Sequence, residues 1–239
     1  MSVSKYPPLS VVLPCYNPPS GWSKTLITAF EELTSSLGFT PEIIIINDGG
    51  QLLSEDVQGL IKELPQTRLE AYPNNRGKGA AVRYGVEQAQ GVYIIYTDID
   101  FPYTTDSFLQ IWQGLQSDKA DVVVGTKDES YYEKVPAARV FISKFLRKII
   151  GIFFRMPITD TQCGLKGFNQ KGKSVMLNTT IDRYLFDLEF VYQCYRHQPA
   201  LKVRAQPSRL KDNVQFRRMN YRVLLSEVWN FLQILWKRK

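Results

Sequence analysis

Short apolar runs separated by helix-length amphipathic segments constrain this chain most. "LSVVLPCY" (Leu9–Tyr16), "EIIIIND" (Glu42–Asp48), "RLEAYP" (Arg68–Pro73), "GVYIIYTD" (Gly91–Asp98) and "DVVVG" (Asp121–Gly125) read as strands. Trp22–Leu37, Ser54–Leu64, Gly79–Ala89 and Asp106–Gln116 read as the helices between them. Each strand–helix pair takes about 25 to 30 residues, the rhythm of βαβ units and a mostly parallel sheet flanked by helices. In such an open α/β sheet, ligands bind beyond the carboxyl ends of the strands. Four of those ends carry polar or turn-forming chemistry: "PCYNPP", "NDGG", "NNRGKGAA" and "TDIDFPY". Aligned on one edge, they make a cleft.

Within "TDID", Asp98 and Asp100 are two residues apart, so they share a strand face or flank a tight turn. Two carboxylates suit Mg²⁺ or Mn²⁺, typically held by one or two carboxylates plus substrate phosphates. A solvated turn before Pro102 would also account for the pair. Asp48 closes "IIII", where a carboxylate can accept from a base N–H or a ribose hydroxyl. Gly49 and Gly50 then let the backbone turn sharply, although a plain turn explains the same residues. Arg76 to Gly79 ("RGKG") open a helix, and free N–H groups with two cations there make an anion site. A capped surface helix is the competing reading. The spacing is neither a P-loop nor a dinucleotide fingerprint.

The second half is more irregular and more basic. "DTQCGLKGF" (Asp160–Phe168) is a third polar cluster, with Asp160 a candidate base or acceptor-orienting group. Asp187 and Glu189 lie on an otherwise apolar helix and require partners or a cleft. In Ala138–Pro157, Phe141, Ile142, Phe145, Leu146, Ile149, Ile152 and Phe153 share a broad apolar face at helical spacing. Lys144, Arg147, Lys148 and Arg155 are expected on the opposite side. A second such stretch occupies 215–239. A core-packed helix with a solvated face explains each alone; two together suggest a surface resting on anionic lipid.

A chain of 239 residues with 44% hydrophobic and 22% charged residues can build one α/β domain spanning 1–239. Its net charge of +7 favours an anionic partner. No aromatic–basic interleaving supports nucleic acid. Three scattered cysteines form neither a disulfide framework nor a zinc pattern, and suggest a reducing, cytosolic setting. The single histidine, His197, excludes a histidine metal cluster and reads as a helix-end residue. No signal peptide is read in "MSVSKYPPLSVVLPCYN", and no spanning helix is expected.

Taken in order, the P-x-Y-N strand end, D-G, N-x-G-K-G, D-x-D and "DTQCGLKGF" resemble the GT-A-fold inverting glycosyltransferases of family two. The closest look is to the polyprenyl-phosphate (dolichol-phosphate type) hexosyltransferases, and the pattern covers roughly residues 8 to 210. "DTQCG-K-F" is more similar to the glucosyl than to the mannosyl branch. The resemblance implies that Pro14, Tyr16, Asn17, Asp48 and Gly49 bind the nucleotide's base and ribose, with Lys78 near the nucleotide. It implies that Asp98 and Asp100 belong to the metal and sugar-nucleotide site. Lys127, Arg139 and Ser143 would take the acceptor's phosphate, and Asp160, Gln162 and Asp187 would line the sugar and acceptor side. Three positions depart from the family's pattern: Pro18 replaces an acidic residue, Asn47 stands in place of the first Asp of D-D-G-S, and "GTK" replaces "GSR".

The expected reaction moves a hexose, with inversion, from a nucleotide sugar to a polyprenyl or dolichyl phosphate. UDP-glucose is the first choice of donor and GDP-mannose the second. The enzyme is expected to be peripheral on the cytoplasmic face of a membrane. A lipid phosphate is already anionic and needs little deprotonation; a sugar hydroxyl would need a base, for which Asp160 is the candidate. The alternatives are a family-two transferase with a saccharide acceptor and a nucleotidyltransferase that makes sugar nucleotides. A non-catalytic binding protein is a further rival, and would tolerate loss of the D-x-D.

Overall fold

The computed structural model describes residues 7–117, 119–127, 129–133, 135–212, 214 and 221–236, without the side chains of 129, 130 and 221–226. The first half follows the predicted rhythm closely. Strands β1 (Leu9–Cys15), β2 (Glu42–Asp48), β3 (Thr67–Tyr72), β4 (Tyr93–Tyr96) and β5 (Val122–Thr126) alternate with helices α1 (Trp22–Leu37), α2 (Ser54–Glu63), α3 (Lys78–Gln88) and α4 (Thr105–Gln116). After β5 come α5 (Glu129–Glu133), α6 (Ala137–Phe154), β6 (Lys166–Phe168), α7 (Gln170–Leu177), α8 (Phe186–Arg196), β7 (Val203–Pro207) and α9 (Tyr221–Trp236).

The strands form one sheet in the order β3-β2-β1-β4-β6-β5-β7. All pairings are parallel except those of β6, which runs antiparallel between β4 and β5. Apolar residues on both faces explain why β1 and β2 read as unbroken hydrophobic runs. Val12, Ile44, Ile46, Ile94, Val122 and Val124 enter one core, with side chains of α3, α7, α8 and α9. Leu9, Val11, Leu13, Ile43, Ile45, Ile95 and Val123 enter the other, against α1, α2 and α4. The chain order reverses between β1 and β4, and that crevice is where a ligand is expected. Both "PCYNPP" and "TDID" end there.

Two elements were not anticipated. β6 has three residues inside the polar motif "DTQCGLKGF", and β7 is a largely exposed strand. His197 caps the C-terminus of α8, as expected for a helix-end residue. Cys15, Cys163 and Cys194 are buried free thiols.

The facing of α6 differs from the simple apolar-in, basic-out reading. Ile150 and Phe154 are buried, whereas Phe141, Phe145 and Ile152 are exposed at 72, 56 and 61%. Lys144, Lys148 and Arg155 are exposed with them, while Arg147 turns inward to a carboxylate. The physical reason is that the inward face must serve a polar cluster as well as the core. α9 packs on α6 through Phe231, whose ring lies 6.0 Å from that of Phe153 and 5.4 Å from that of Phe154. Its outer face exposes Val228, Trp229, Leu232 and Trp236. Residues 215–220 and the final three cations, 237–239, lie outside the described residues. Among the described residues, no helix is long and apolar enough to cross a membrane.

Candidate active site

The D-x-D occupies a tight turn just past β4. The Phe101 amide donates to the Asp98 carbonyl at 2.9 Å, and Phe101 takes a left-handed φ of 46°. The Phe101 side chain anchors the turn: it is buried, stacked on Phe108 at 5.6 Å and edge-on to Phe30 at 5.7 Å. Ile99 points into the same core, leaving Asp98 half-buried and Asp100 exposed. Buried apolar anchors thus fix the turn that carries the two carboxylates.

Lys78, the first residue of α3, forms an ion pair with Asp98. Burial by itself would lower the Lys78 ammonium, but the charges of Asp98 and Asp187 outweigh it and hold the group well above the ordinary lysine range. Gly164 of "DTQCG" packs directly against Asp98. A Cβ on Gly164 would lie 2.5 Å from Asp98 Oδ2 and 3.4 Å from Lys78 Nζ. The Gly164 amide donates to the Tyr103 hydroxyl at 2.9 Å, fixing this close approach.

This arrangement fits a divalent cation on a diphosphate. Its carboxylates are hard oxygen donors, and a lysine beside Asp98 is already in place to meet phosphate charge. Among the described residues, no group of three His, Cys, Asp or Glu side chains could hold a metal. A cation held by Asp98 and Asp100 would complete its shell with oxygens of the ligand, the usual manner of Mg²⁺.

At the end of β2, the chain itself answers part of the anion-site expectation. Asp48 is buried, and its carboxylate accepts from the Arg76 amide at 2.7 Å, the Gly77 amide at 2.9 Å and the Asn75 side chain at 2.9 Å. The Ala80 amide donates to the Asp182 carbonyl at 3.2 Å. These bonds correct the reading of "RGKG" as a set of free amides awaiting an outside anion: Asp48 is the anion at this helix start, because its strand ends beside it. Lys78 Nζ remains paired with Asp98. Gly49 (φ 69°) lets the 74–75 backbone pass so closely that a Cβ would lie 2.5 Å away. Asn47 bonds both the amide and the carbonyl of Gly50, closing the turn. Of the other residues expected at the nucleotide, Pro14 is buried inside β1 and Tyr16 is 46% exposed at its end. Asn17 accepts from the Gln51 amide at 2.9 Å, joining the loops after β1 and β2.

A second polar cluster forms where α6 crosses the end of β5. Asp160 is 2% exposed; its Oδ2 accepts from the Lys127 amide at 2.6 Å. Its Oδ1 lies 3.5 Å from Lys127 Nζ and accepts no hydrogen bond among the described residues. Arg147 approaches Oδ2 at 3.9 Å. Lys127 Nζ donates to Ser143 Oγ at 3.5 Å, Ser143 meets the Tyr132 hydroxyl at 3.1 Å, and Arg147 donates to that hydroxyl at 3.3 Å. Arg139, Ser143 and Arg147 are spaced four apart and share one face of α6. The structure therefore brings Lys127, Ser143 and Asp160 together and adds Arg147 and Tyr132. The four-residue spacing was the signal that could have found Arg147. Gln162 is half-buried beside Thr161. Burial raises the Tyr131 hydroxyl first, and Cys163, Asp160 and Asp98 add to the shift.

Asp187 has the partner that its place on an apolar helix demanded. It is buried, and accepts from Lys166 Nζ at 2.5 Å and from the Tyr96 hydroxyl. Glu189 is likewise internal, accepting from the Thr180 and Ile181 amides at 2.8 Å each.

Known proteins resemble this chain in fold and in sequence. Solved structures of similar fold include a glucosyl-3-phosphoglycerate synthase from Mycobacterium tuberculosis bound to Mn²⁺, UDP and phosphoglyceric acid. Its TM-score is 0.69 at 13% identity, over 97% of this chain and 78% of that one. A mannosyl-3-phosphoglycerate synthase from Rubrobacter xylanophilus gives 0.62 at 12% identity, over 97% and 74%. These likenesses establish the GT-A fold. Among curated proteins, a dolichyl-phosphate beta-glucosyltransferase of Trichomonas vaginalis is 30% identical over 193 residues, 77% of this chain and 60% of the relative. One from Dictyostelium discoideum is 30% identical over 199 residues (77% and 61%), and one from Homo sapiens 26% over 204 (77% and 62%). The chain thus spans about 60% of the length of the curated relatives it matches. Residues 10–173 match the family described as "Glycosyl transferase family 2". The cleft at the β1/β4 switch point, with its D-x-D turn, is therefore that of a chain belonging to glycosyl transferase family 2.

Proposed function

We propose that this chain transfers glucose, with inversion, from UDP-glucose to a dolichyl or related polyprenyl phosphate. The observation that carries the reading is the pairing of two charged clusters on one sheet edge. One is a carboxylate–lysine turn suited to a metal-bound diphosphate. The other is the Lys127–Ser143–Arg147 cluster suited to a second phosphate. The names of the curated relatives support the acceptor and the sugar, and the UDP and Mn²⁺ in the solved neighbour support the donor class.

In this reading, Asp98 and Asp100 hold Mg²⁺ or Mn²⁺ on the donor, where the ion supplies charge neutralisation of the leaving diphosphate. Lys78 moves from Asp98 toward the diphosphate as the donor enters. Lys127, Arg139, Ser143 and Arg147 place the acceptor phosphate. One of its oxygens attacks the anomeric carbon as the bond to UDP breaks, and the electron pair leaves with UDP. No proton must be removed. Asp160, enclosed by Lys127 and Arg147, serves to orient those cations rather than to act as base. Tyr16 and Asn17 lie at the base and ribose end.

The exposed faces of α6 and α9 support docking on the cytoplasmic face of a membrane. Phe141 and Phe145 stack at 6.2 Å, with Lys144 and Lys148 beside them, and Trp229 and Trp236 project from α9. Apolar side chains ringed by cations suit an anionic lipid surface. The test is a matrix of radiolabelled UDP-glucose or GDP-mannose against dolichyl phosphate, dolichol or a free saccharide, with Mn²⁺. Label should reach the organic phase only from UDP-glucose and only with the phosphorylated lipid. Transfer to dolichol or to the saccharide would overturn the acceptor assignment, and transfer from GDP-mannose the donor assignment.

A further inference from the structure

Lys166 is the most unusual residue outside the two clusters. It lies on β6 with 0% exposure, its long amine side chain cut off from water. A buried lysine survives only where its charge is paired and its protons are used. Both conditions are met. Its Nζ donates to Asp187 at 2.5 Å and to the Cys163 carbonyl, and it lies 5.5 Å from the centre of the Tyr96 ring. The Tyr96 hydroxyl donates to the same Asp187 oxygen. Tyr96 and Lys166 are directly opposed in the β4–β6 ladder, so the cluster bridges the strand that leads to the D-x-D and the strand that follows Gly164.

The Cys163 carbonyl is the informative contact. Cys163 precedes Gly164, the residue whose missing side chain admits Asp98. The same turn is held from its other side by Tyr103, whose hydroxyl accepts from the Gly164 amide at 2.9 Å and from Cys163 Sγ at 3.3 Å. A turn that approaches a carboxylate this closely has little tolerance, and buried charge-assisted hydrogen bonds are the strong way to fix it.

We propose that Lys166 is a positioning residue: its buried pair with Asp187 clamps the Cys163–Gly164 turn against Asp98 and so sets the carboxylate that receives the metal-bound diphosphate. The inference rests on the transferase reading, and goes beyond it by giving work to a residue no ligand reaches. Lys166 touches neither substrate nor metal; it acts through the turn.

The decisive variant is Tyr96→Phe/Lys166→Met/Asp187→Leu. It removes all three polar groups together, so no buried charge is orphaned, and replacement of a buried pair by apolar residues of similar volume is commonly tolerated. Amide exchange over residues 161–166 and UDP affinity in Mn²⁺ are measured together with the melting temperature. The proposal expects a folded protein in which exchange of this segment rises tenfold or more and the UDP dissociation constant, measured with Mn²⁺, rises tenfold or more. Unchanged exchange in a folded triple variant overturns it, and so does faster exchange with unchanged UDP affinity. If the triple variant does not fold, Lys166→Met/Asp187→Asn removes the charged pair while leaving an acceptor for the Tyr96 hydroxyl; unchanged exchange at Cys163 and Gly164 in that variant likewise overturns it. Should the wild-type chain bind no UDP at all, the transferase reading fails on that ground alone. The exchange measurement still decides whether Lys166 holds the turn.

Discussion

Replacing Lys78 by methionine should make the metal site bind its ion better and the nucleotide worse. The ammonium of Lys78 already neutralises Asp98, with side chains 19% and 38% exposed respectively. Two unit charges about 4 Å apart attract by about 4 kcal/mol at an effective dielectric of about 20. Solvent at Asp98 screens this to about 1–2 kcal/mol. A divalent ion arriving alone has to displace that ammonium. Removing it should tighten Mn²⁺ binding about tenfold, since about 1.4 kcal/mol is a factor of ten. The same change deprives the diphosphate of a cation, so UDP binding in saturating Mn²⁺ should weaken by a similar factor. Electron paramagnetic resonance of free Mn²⁺, titrated with protein with and without UDP, reads both quantities. Equal Mn²⁺ affinity in wild type and Lys78→Met, without nucleotide, would refute the competition. It would also remove the argument that Lys78 passes from Asp98 to the donor.

Other perturbations have similarly definite outcomes. Gly164→Ala places a methyl group 2.5 Å from Asp98 Oδ2, so Mn²⁺-dependent UDP binding should fall tenfold or more by calorimetry. Gly49→Ala meets both a left-handed φ of 69° and the 74–75 backbone; denaturant melts should show a loss of about 1–3 kcal/mol from the strained conformation alone. Lys127→Ala should raise the KM for the lipid phosphate tenfold or more while leaving the KM for UDP-glucose within about twofold, because a charge-assisted contact contributes about 1.5–3 kcal/mol. Trp229→Ser/Trp236→Ser should cut flotation with anionic vesicles sharply and leave the melting temperature near that of the wild type, since both side chains are exposed.

The first half of the fold was legible because its physics is local. β1 and β2 are buried on both faces, and their continuous apolar runs and the intervening helical periods leave few alternatives. α1 matches the expected Trp22–Leu37 in full. β6 was not legible: three residues give no period, and Lys166 within them looks like a surface residue until Asp187, 21 positions later, is brought beside it. β7 pairs with β5 through its backbone, and its mostly exposed side chains carry no hydrophobic signal. In α6 the spacing identified an amphipathic helix. Which face turned inward depended on Asp160, a long-range partner for Arg147 that periodicity cannot register.

The site divides along the same line. The residue types at the strand ends pointed to one edge of the sheet, and the D-x-D turn lies just past β4 as the spacing allowed. What the residues do to one another was hidden. Asp48 occupies the α3 start because β2 and the 74–77 loop meet in space. Tyr103 and Arg147 carry no motif of their own, and Lys166, though inside "DTQCGLKGF", gave no sign of burial; they matter through contacts with Gly164, Asp160 and Asp187.

The most direct test of the two-cluster account is a crystal structure of the chain with UDP, Mn²⁺ and a short polyprenyl phosphate. The account predicts the ion on the carboxylates of the Asp98–Asp100 turn, Lys78 turned to the diphosphate, and the lipid phosphate on Lys127, Arg139, Ser143 and Arg147. A lipid phosphate bound away from that cluster, or UDP and Mn²⁺ bound without either carboxylate, would contradict it.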